Sequence, residues 1–509
     1  MVSTLPSELF DVCRRWPDHC AFVYQDRRTS YAELWNGITH CARALRSLLS
    51  GRGARVAVLI ENSPEYAVAY YGALKAGAVV VGMNTALRAP ELVKVLRHCE
   101  AEVLVIAQPV TVLNELLNAC PSLRVLRLVT ESVPGPESTP LIELEWLSRA
   151  NTAELAERPL FEADTQAAAI IYTSGTTGDP KGVTLSHRNL LANTRAIQSY
   201  LGLTAHDCIV NVLPFYYSYG NSVLHTHLLA GARIVLENTL SYPHLVVQRW
   251  VTSGATGFAG VPSTFALLLA RVNFAEYDLS ALRYLTQAGG AMAPALTTRV
   301  TQTFPQAKLF VMYGQTEATA RITYLPPSRL SDKPGAVGLA VSGVRLEIRD
   351  EQGRNLPPGQ QGEVCVQGDN VMVGYWNNPE ATQRVLREGW LHTGDLGYLD
   401  TDGFLFLTGR SSDFIKTGAH RVSPQEIEEV IMELPAVMEC AVIGVPDDIL
   451  GEVIKAWLVL NDAATLEPLA VQAHCRQRLA VYKVPKVVEF VVRLPKTASG
   501  KVQRFLLRE

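Results

Sequence analysis

Thr173-Ser174-Gly175-Thr176-Thr177-Gly178-Asp179-Pro180-Lys181-Gly182 decides how the rest of this sequence is read. The run follows an apolar segment, Ala167 to Tyr172, with the composition of a buried strand. It precedes Val183-Thr184-Leu185-Ser186-His187, which leads into a helix-like segment. Its three glycines let the backbone approach an anion closely, and its four hydroxyl side chains can donate to phosphate oxygens. Lys181 adds a positive charge. A strand-anchored loop of this kind suits a polyphosphate. The Gly-x-x-x-x-Gly-Lys-Ser/Thr spacing of a Walker loop is absent. Surface turns are also rich in Gly, Ser and Thr, but they rarely join such a density of hydroxyls to Pro-Lys-Gly.

Outward from this loop, short β-branched runs alternate with longer helix-period segments. Arg55 to Ile60, Ala78 to Val81, Ala101 to Ala107, Arg124 to Val129 and Arg233 to Leu236 read as strands, and Pro64 to Lys75 as a helix. Strands separated by helix-sized pieces predict parallel α/β layers. Between Gly343 and Gly374 the pattern shifts to short alternating strands with Pro-Pro-Gly and Gly-Asp-Asn turns, which predicts a β-rich sub-domain. A boundary is expected near Gly409-Arg410-Ser411-Ser412-Asp413, a run of small and polar residues. Beyond it, Ser423-Pro424-Gln425-Glu426 looks like a capped helix start. Ala441 to Val445 and Ile454 to Val459 read as strands of a small α+β lid. The expected division is a body over 1–409, a hinge over 410–413 and a lid over 414–509.

Composition narrows the class. With 509 residues, 48% hydrophobic and 19% charged, the chain is sized for two or three sub-domains of a soluble enzyme. A net charge of -3 without a long basic cluster gives no reason to expect nucleic acid as a partner. The nine cysteines are scattered singly, so reduced thiols are expected. Neither a signal peptide nor an apolar run of membrane-spanning length is found, and the expected compartment is the cytoplasm.

The loop resembles the phosphate loop of the adenylate-forming superfamily, which includes acyl-CoA synthetases, peptide-synthetase adenylation domains and beetle luciferases. Further motifs follow in that family's order, and the resemblance runs from about Ala21 to Arg504. In Tyr313-Gly314-Gln315-Thr316-Glu317, an aromatic ring can stack on adenine and a carboxylate can hold magnesium. The resemblance makes Tyr313 the residue beside the base, Thr316 a phosphate contact and Glu317 the metal residue. Gly289-Gly290-Ala291 is a small-residue turn that in the family covers the other adenine face and leaves room for the acyl group. His392-Thr393-Gly394-Asp395-Leu396 supplies a carboxylate able to accept from both ribose hydroxyls, and Arg410 would reach ribose or phosphate. Near the C-terminus, Lys501 matches the lysine that bridges carboxylate and α-phosphate in the family. Positive charge there lowers the barrier to a carboxylate attacking an anionic phosphorus. Lys501, Thr173 and Glu317 are thus the catalytic candidates, with Ser174, Gly175, Thr176, Thr177, Gly178 and Lys181 completing the phosphate loop.

The resemblance implies an ATP- and Mg2+-dependent acid–thiol ligase with CoA as acceptor. A phosphopantetheine arm on an acyl- or peptidyl-carrier protein remains a second acceptor, and a non-catalytic nucleotide-binding regulator an alternative of another class. The family's lid turns about a pivot that falls here on Ser412, where Asp or Lys is usual, and Ala419 replaces a glycine in the loop that then faces the site. In the acyl-pocket motif, Tyr216 and Tyr217 stand where many relatives carry histidine. No acidic residue lies from Cys208 to Leu236, which disfavours α-amino acids, since a buried ammonium needs a partner. Tyr216, Tyr217, Tyr219, Phe258, Val261, Gly289 and Gly290 are the expected pocket, and its apolar side chains favour a fatty or other hydrophobic acid. His225 and His227, one residue apart, lack the further ligands a metal site needs.

Overall fold

The structure, a computed structural model, describes residues 3–130, 141–146, 164–174, 180–410, 413–417, 420–447, 450–462, 464–497 and 500–507. Two large sheets share one layer of helices. In the eight-stranded sheet, Val79–Gly82, Arg55–Val58, Ala101–Ile106, Arg124–Val129 and Leu141–Glu145 run parallel, with Ala167–Ser174 beside Val79–Gly82. Their near-continuous apolar composition is what a sheet covered on both faces requires. Alternation along a strand sends neighbouring residues to opposite sides. Val56, Val58 and Val80 accordingly pack into the central helical layer, while Ala57, Val79 and Val81 pack into an outer cluster.

The larger, fourteen-stranded sheet closes that layer from the other side. Ile209, Ile234, Ala259 and Tyr284 point inward, whereas Val210, Val235, Phe258 and Leu285 face the outer helices. Between the sheets, the helices Pro64–Ala76 and Ser218–Ala230 are buried along almost their whole length, and the polar residues of the second, Asn221, Ser222, His225, Thr226 and His227, are hydrogen-bonded inside.

Val183–Ser186 leads into a helix as expected, beginning at His187, and Pro180–Ser186 returns antiparallel along Ala167–Ser174, a pairing the sequence did not signal. Ser423 does sit at the N-cap of Pro424–Ile431, but its hydroxyl makes no capping bond. The expected β-rich stretch exists as Val344–Arg349, Gly362–Gly368, Trp390–Leu399 and Leu405–Arg410. These strands extend the larger sheet through Ala336–Ala340 and Thr323–Leu325.

The C-terminal region forms its own five-stranded sheet around Val437–Asp447 and Gly451–Leu460, with a separate apolar core. It rests on the helix Pro262–Arg271: Met438 packs on the body's outer cluster, Arg271 pairs with Asp462, and Ser263 donates to the Gly500 carbonyl at 3.3 Å. Among the described residues, no helix is long and apolar enough to cross a membrane.

Candidate active site

Parallel strands of the larger sheet end along one crevice, the place where ligands settle in open α/β sheets. Gly257–Gly260 leads to Val261, Tyr284–Gln287 leads to Gly289 and Gly290, and Lys308–Tyr313 leads to the turn Thr316–Ala318. Gly289, Gly290 and Ala291 are exposed in that crevice, and Gln287 Nε2 donates to the Gly290 carbonyl at 2.8 Å.

Tyr313, Asp395 and Arg410 meet although they are far apart in the sequence. Asp395 and Arg410 are cross-strand partners in Trp390–Leu399 and Leu405–Arg410. The Asp395 carboxylate, 6% exposed, accepts from Tyr313 Oη at 2.5 Å and from Arg410 Nε at 2.7 Å. Burial, reinforced by the Asp395 charge, pushes the Tyr313 phenol well above its ordinary value, so it stays a donor. The Asp395 charge likewise raises Arg410. Glu363 holds the turn itself: Oε1 accepts from Gly394 N at 3.1 Å and Oε2 lies 2.7 Å from His392 Nδ1. Cys365 stands beside this pair, its thiol pushed up to about 12 by burial.

A second constellation lies alongside. Tyr375 Oη donates to Glu317 Oε1 at 2.8 Å, and Lys181 Nζ stands 5.6 Å from the Tyr375 ring centre. Thr316 Oγ1 donates to Ser218 Oγ at 3.2 Å. Burial, with the Glu317 carboxylate beside it, raises the Tyr375 phenol, and Arg410 opposes that from the first constellation. Tyr375 arrives because Gly374–Tyr375 pairs with the outgoing strand of the hairpin, Tyr375 opposite Val183. Thr173 faces Lys181 across the same hairpin. Of the loop, Gly175, Thr176, Thr177 and Gly178 lie outside the described residues, as do Ser412 and Ala419, and the Ser174 side chain is not described.

Lys501 comes from the C-terminal region, and the charges of the first constellation act on it. The residue is exposed, yet desolvation by surrounding protein and then repulsion by Arg410 bring its pKa below the ordinary lysine value. Asp395 pulls in the opposite direction, which places the lysine in the field of the same carboxylate. Thr497 Oγ1 accepts from Lys501 N at 3.1 Å and fixes the loop.

The expected pocket is brought together only in part. Tyr216 and Tyr217 pack on each other with ring centres 4.7 Å apart, and Asn84 donates to Tyr217 Oη at 3.4 Å. Tyr219 donates to the Thr286 carbonyl at 2.9 Å. Val261 borders the crevice, touched by the Gly500 loop. Phe258 does not join them: alternation along its strand turns it outward, where it packs on Trp250 and Phe265 in the outer core. His225 and His227 are core residues. His225 Nδ1 lies 2.8 Å from Tyr71 Oη and His227 Nε2 lies 2.6 Å from Tyr284 Oη. Burial pushes them down to about 3 and about 4, so both are neutral.

Sequence reasoning missed Tyr375, Glu363, Ser218 and Arg321. Tyr375 and Glu363 reach the site through strand pairing, which leaves no spacing signature. Arg321 offered one signal, an arginine placed among apolar residues directly after the Tyr313 motif.

A cleft that gathers a lysine, an arginine–aspartate–tyrosine cluster and a metal-competent glutamate around a phosphate hairpin is that of an adenylate-forming ligase. Residues 9–376 match the AMP-binding enzyme family and 426–501 match the AMP-binding enzyme C-terminal domain, so the chain belongs to that family of acid–thiol ligases. It is 32% identical to a long-chain-fatty-acid–CoA ligase of Bacillus subtilis (strain 168), covering 99% of this chain and 94% of the other. It is 33% identical to a 2-succinylbenzoate–CoA ligase of Bacillus cereus, covering 100% and 99%. Among solved structures, the anthranilate CoA ligase AuaEII in complex with anthranoyl-AMP superposes with a TM-score of 0.88 at 28% identity, covering 100% of this chain and 97% of the other.

Proposed function

We propose that the chain activates a carboxylic acid with ATP and passes the acyl group to CoA. In the first step a carboxylate oxygen bonds to the α-phosphorus, the bond from that phosphorus to the bridging oxygen breaks, and pyrophosphate leaves. In the second, a thiol that has given its proton to solvent attacks the acyl carbonyl, and AMP leaves. Lys501 offsets the charge of carboxylate and α-phosphate as they meet. Asp395, oriented by Tyr313 and Arg410, accepts hydrogen bonds from the ribose hydroxyls. Thr173, Lys181 and Thr316 border the polyphosphate. Tyr375 fixes Glu317 Oε1 and leaves Oε2 as an oxygen donor of the kind Mg2+ takes. Bound there, Mg2+ would neutralise triphosphate charge. The 410–413 segment serves as the hinge between body and lid.

The observation that carries this reading is that the loop bearing Lys501 rests on the body, Ser263 donating to the Gly500 carbonyl at 3.3 Å, with the Asp395 and Arg410 charges acting on that lysine. For the acid, relatives named for long-chain fatty acids and for 2-succinylbenzoate leave both a fatty and a more polar acid in play. The interior beyond Tyr219 favours a compact acid: that residue is 9% exposed, and two voids near it have room for about one water each, about 10 Å3. The deciding experiment is carboxylate-dependent ATP–pyrophosphate exchange over fatty, aryl and dicarboxylic acids, with Lys501→Ala alongside and mass spectrometry of the CoA product. Exchange that disappears in a Lys501→Ala protein still binding ATP supports the reading. ATP binding without exchange for any acid returns the non-catalytic regulator, and thioester found only on a carrier protein replaces CoA as acceptor.

A further inference from the structure

We infer that Arg321 selects the acid by pairing with a second carboxylate at its far end, an inference that rests on the ligase reading above. Arg321 is 3% exposed. The buried carboxylates Asp207 and Asp395 each have an arginine partner. Arg321 has no carboxylate partner among the described residues: its Nε donates to Met312 Sδ at 3.2 Å, its Nη1 donates to the Ala320 carbonyl at 2.9 Å, and its guanidinium lies 4.1 Å from the Tyr219 ring centre. A thioether, one carbonyl and a ring face are weak company for a permanent charge removed from water. Tyr200 adds a neutral hydroxyl, which lies 2.9 Å from the same sulfur and also interacts with the Arg321 side chain. The guanidinium borders a void that it shares with Tyr219, Ser222, Thr226 and Thr286.

The backbone is built to keep this side chain inside. Thr319 (φ 54°) and Ala320 (φ 87°) are consecutive non-glycine residues in the left-handed region, a costly conformation that persists where surrounding structure enforces it. The Gln315 carbonyl accepts from both Ala318 N and Ala320 N, and the Arg321 carbonyl accepts from Asn193 Nδ2 at 2.9 Å and Asn370 Nδ2 at 3.0 Å. Gly314 admits the reversal, because a Cβ there would lie 2.1 Å from the Ala320 carbonyl oxygen. Strain of this kind directly after Thr316 and Glu317 turns the chain so that Arg321 is carried inward onto the Tyr219 ring.

Distance sets the acid's length. Ser218, beside Thr316, borders one void together with Ser222, and Ser222 also borders the void at Arg321. One helical turn separates the two serines, about 6 Å along the axis. With the reacting carboxylate drawn to Lys501 on the Ser218 side and Arg321 bordering the void on the Ser222 side, a second anionic group about one helical turn from the first is expected, the scale of a five- or six-carbon diacid or an aromatic diacid. That group would meet the guanidinium through a charge-assisted pair.

The test compares matched acids in pyrophosphate exchange: glutaric against pentanoic, adipic against hexanoic, isophthalic against benzoic. The wild-type enzyme is expected to favour the diacid of at least one pair by roughly 100-fold or more in kcat/KM, since an unpaired buried polar group penalises the analogue that lacks its partner. Arg321→Met is expected to erase that preference through the KM of the diacid, leaving ATP affinity unchanged, and Arg321→Lys to restore part of it. A wild-type preference for the monoacid in every pair overturns the inference without any variant. An intact diacid preference in folded Arg321→Met overturns it as well and leaves Arg321 a structural pillar. Failure of every acid while ATP binds refutes the ligase reading, and the selection with it.

Discussion

Replacing Asp395 by Asn tests the ribose site while changing little else in shape. The carboxylate holds two charge-assisted hydrogen bonds, to Tyr313 at 2.5 Å and Arg410 at 2.7 Å. The Arg410 side chain is 44% exposed, so solvent screening limits that pair to about 1 kcal/mol or less of stability. The Tyr313 bond is buried, but an amide oxygen can still accept it, and the fold should survive with a small loss of melting temperature. Nucleotide recognition should suffer more. Hydrogen bonds to a charged group contribute about 1.5–3 kcal/mol each, and an amide offers the two ribose hydroxyls one neutral acceptor in place of two charged ones. A net loss of about 2–4 kcal/mol follows, or roughly 30- to 1,000-fold in kcat/KM for ATP. The assay is pyrophosphate exchange with ATP, 2′-deoxyATP and 3′-deoxyATP on both proteins. Wild-type enzyme should penalise each deoxynucleotide, and Asp395→Asn should compress at least one penalty about tenfold. A folded variant that keeps both penalties in full refutes the ribose role of Asp395.

Further outcomes follow from the same geometry. Lys501 has a folded pKa below the ordinary 10.5, and its ammonium is the active form, so activity is lost as pH rises through that lowered value. Lys501→Arg should shift the alkaline limb of the rate profile upward, and an unmoved limb assigns it to another group. His187, His225 and His227 are neutral in the fold, pushed down from 6.5 to about 4, about 3 and about 4 by burial. The unfolded chain takes up these protons first, so their contribution is intact above pH 6.5 and is lost as pH falls toward 4. At pH 5 the loss is about 2 kcal/mol for each, measurable by urea unfolding at pH 7 and pH 5, and His225→Gln should flatten about a third of it. Tyr375→Phe releases Glu317 Oε1 and should raise the Mg2+ concentration for half-maximal exchange by roughly 3- to 10-fold, read by titrating the metal at fixed ATP.

What was legible in the sequence is what local pattern encodes. The runs Arg124–Val129 and Arg233–Leu236 are strands at the boundaries expected, because the β-branched and leucine residues that parallel strands bury on both faces dominate each run. The Tyr313, Asp395 and Arg410 motifs each carry a short signature, and the structure brings these three residues into one hydrogen-bonded cluster. Phe258 shows the limit. Its composition suggested the pocket, but a strand's two faces differ only by one residue of register, and register belongs to the sheet. Tyr375 shows another limit: its role depends on two residues pairing with a strand nearly two hundred positions earlier.

Val261 links the acid to the lid. It ends the run that leads into Pro262–Arg271 and borders the crevice, and the Gly500 loop of the lid lies directly on it. A Cβ at Gly500 would lie 2.8 Å from Val261 Cγ2, and Gly500 holds φ at 82°, a region that side chains rarely adopt. In the proposed reaction, where the C-terminal region brings Lys501 to the acid, a side chain at position 500 or a displaced Val261 would work against that approach. An acid that pushes against Val261 from below works against closure, and one that leaves it undisturbed permits it. Acid size is then read twice, once at the pocket and once through the position of Lys501. For a coupled equilibrium of this kind, an oversized acid loses kcat as well as affinity, because it binds where the lysine cannot follow.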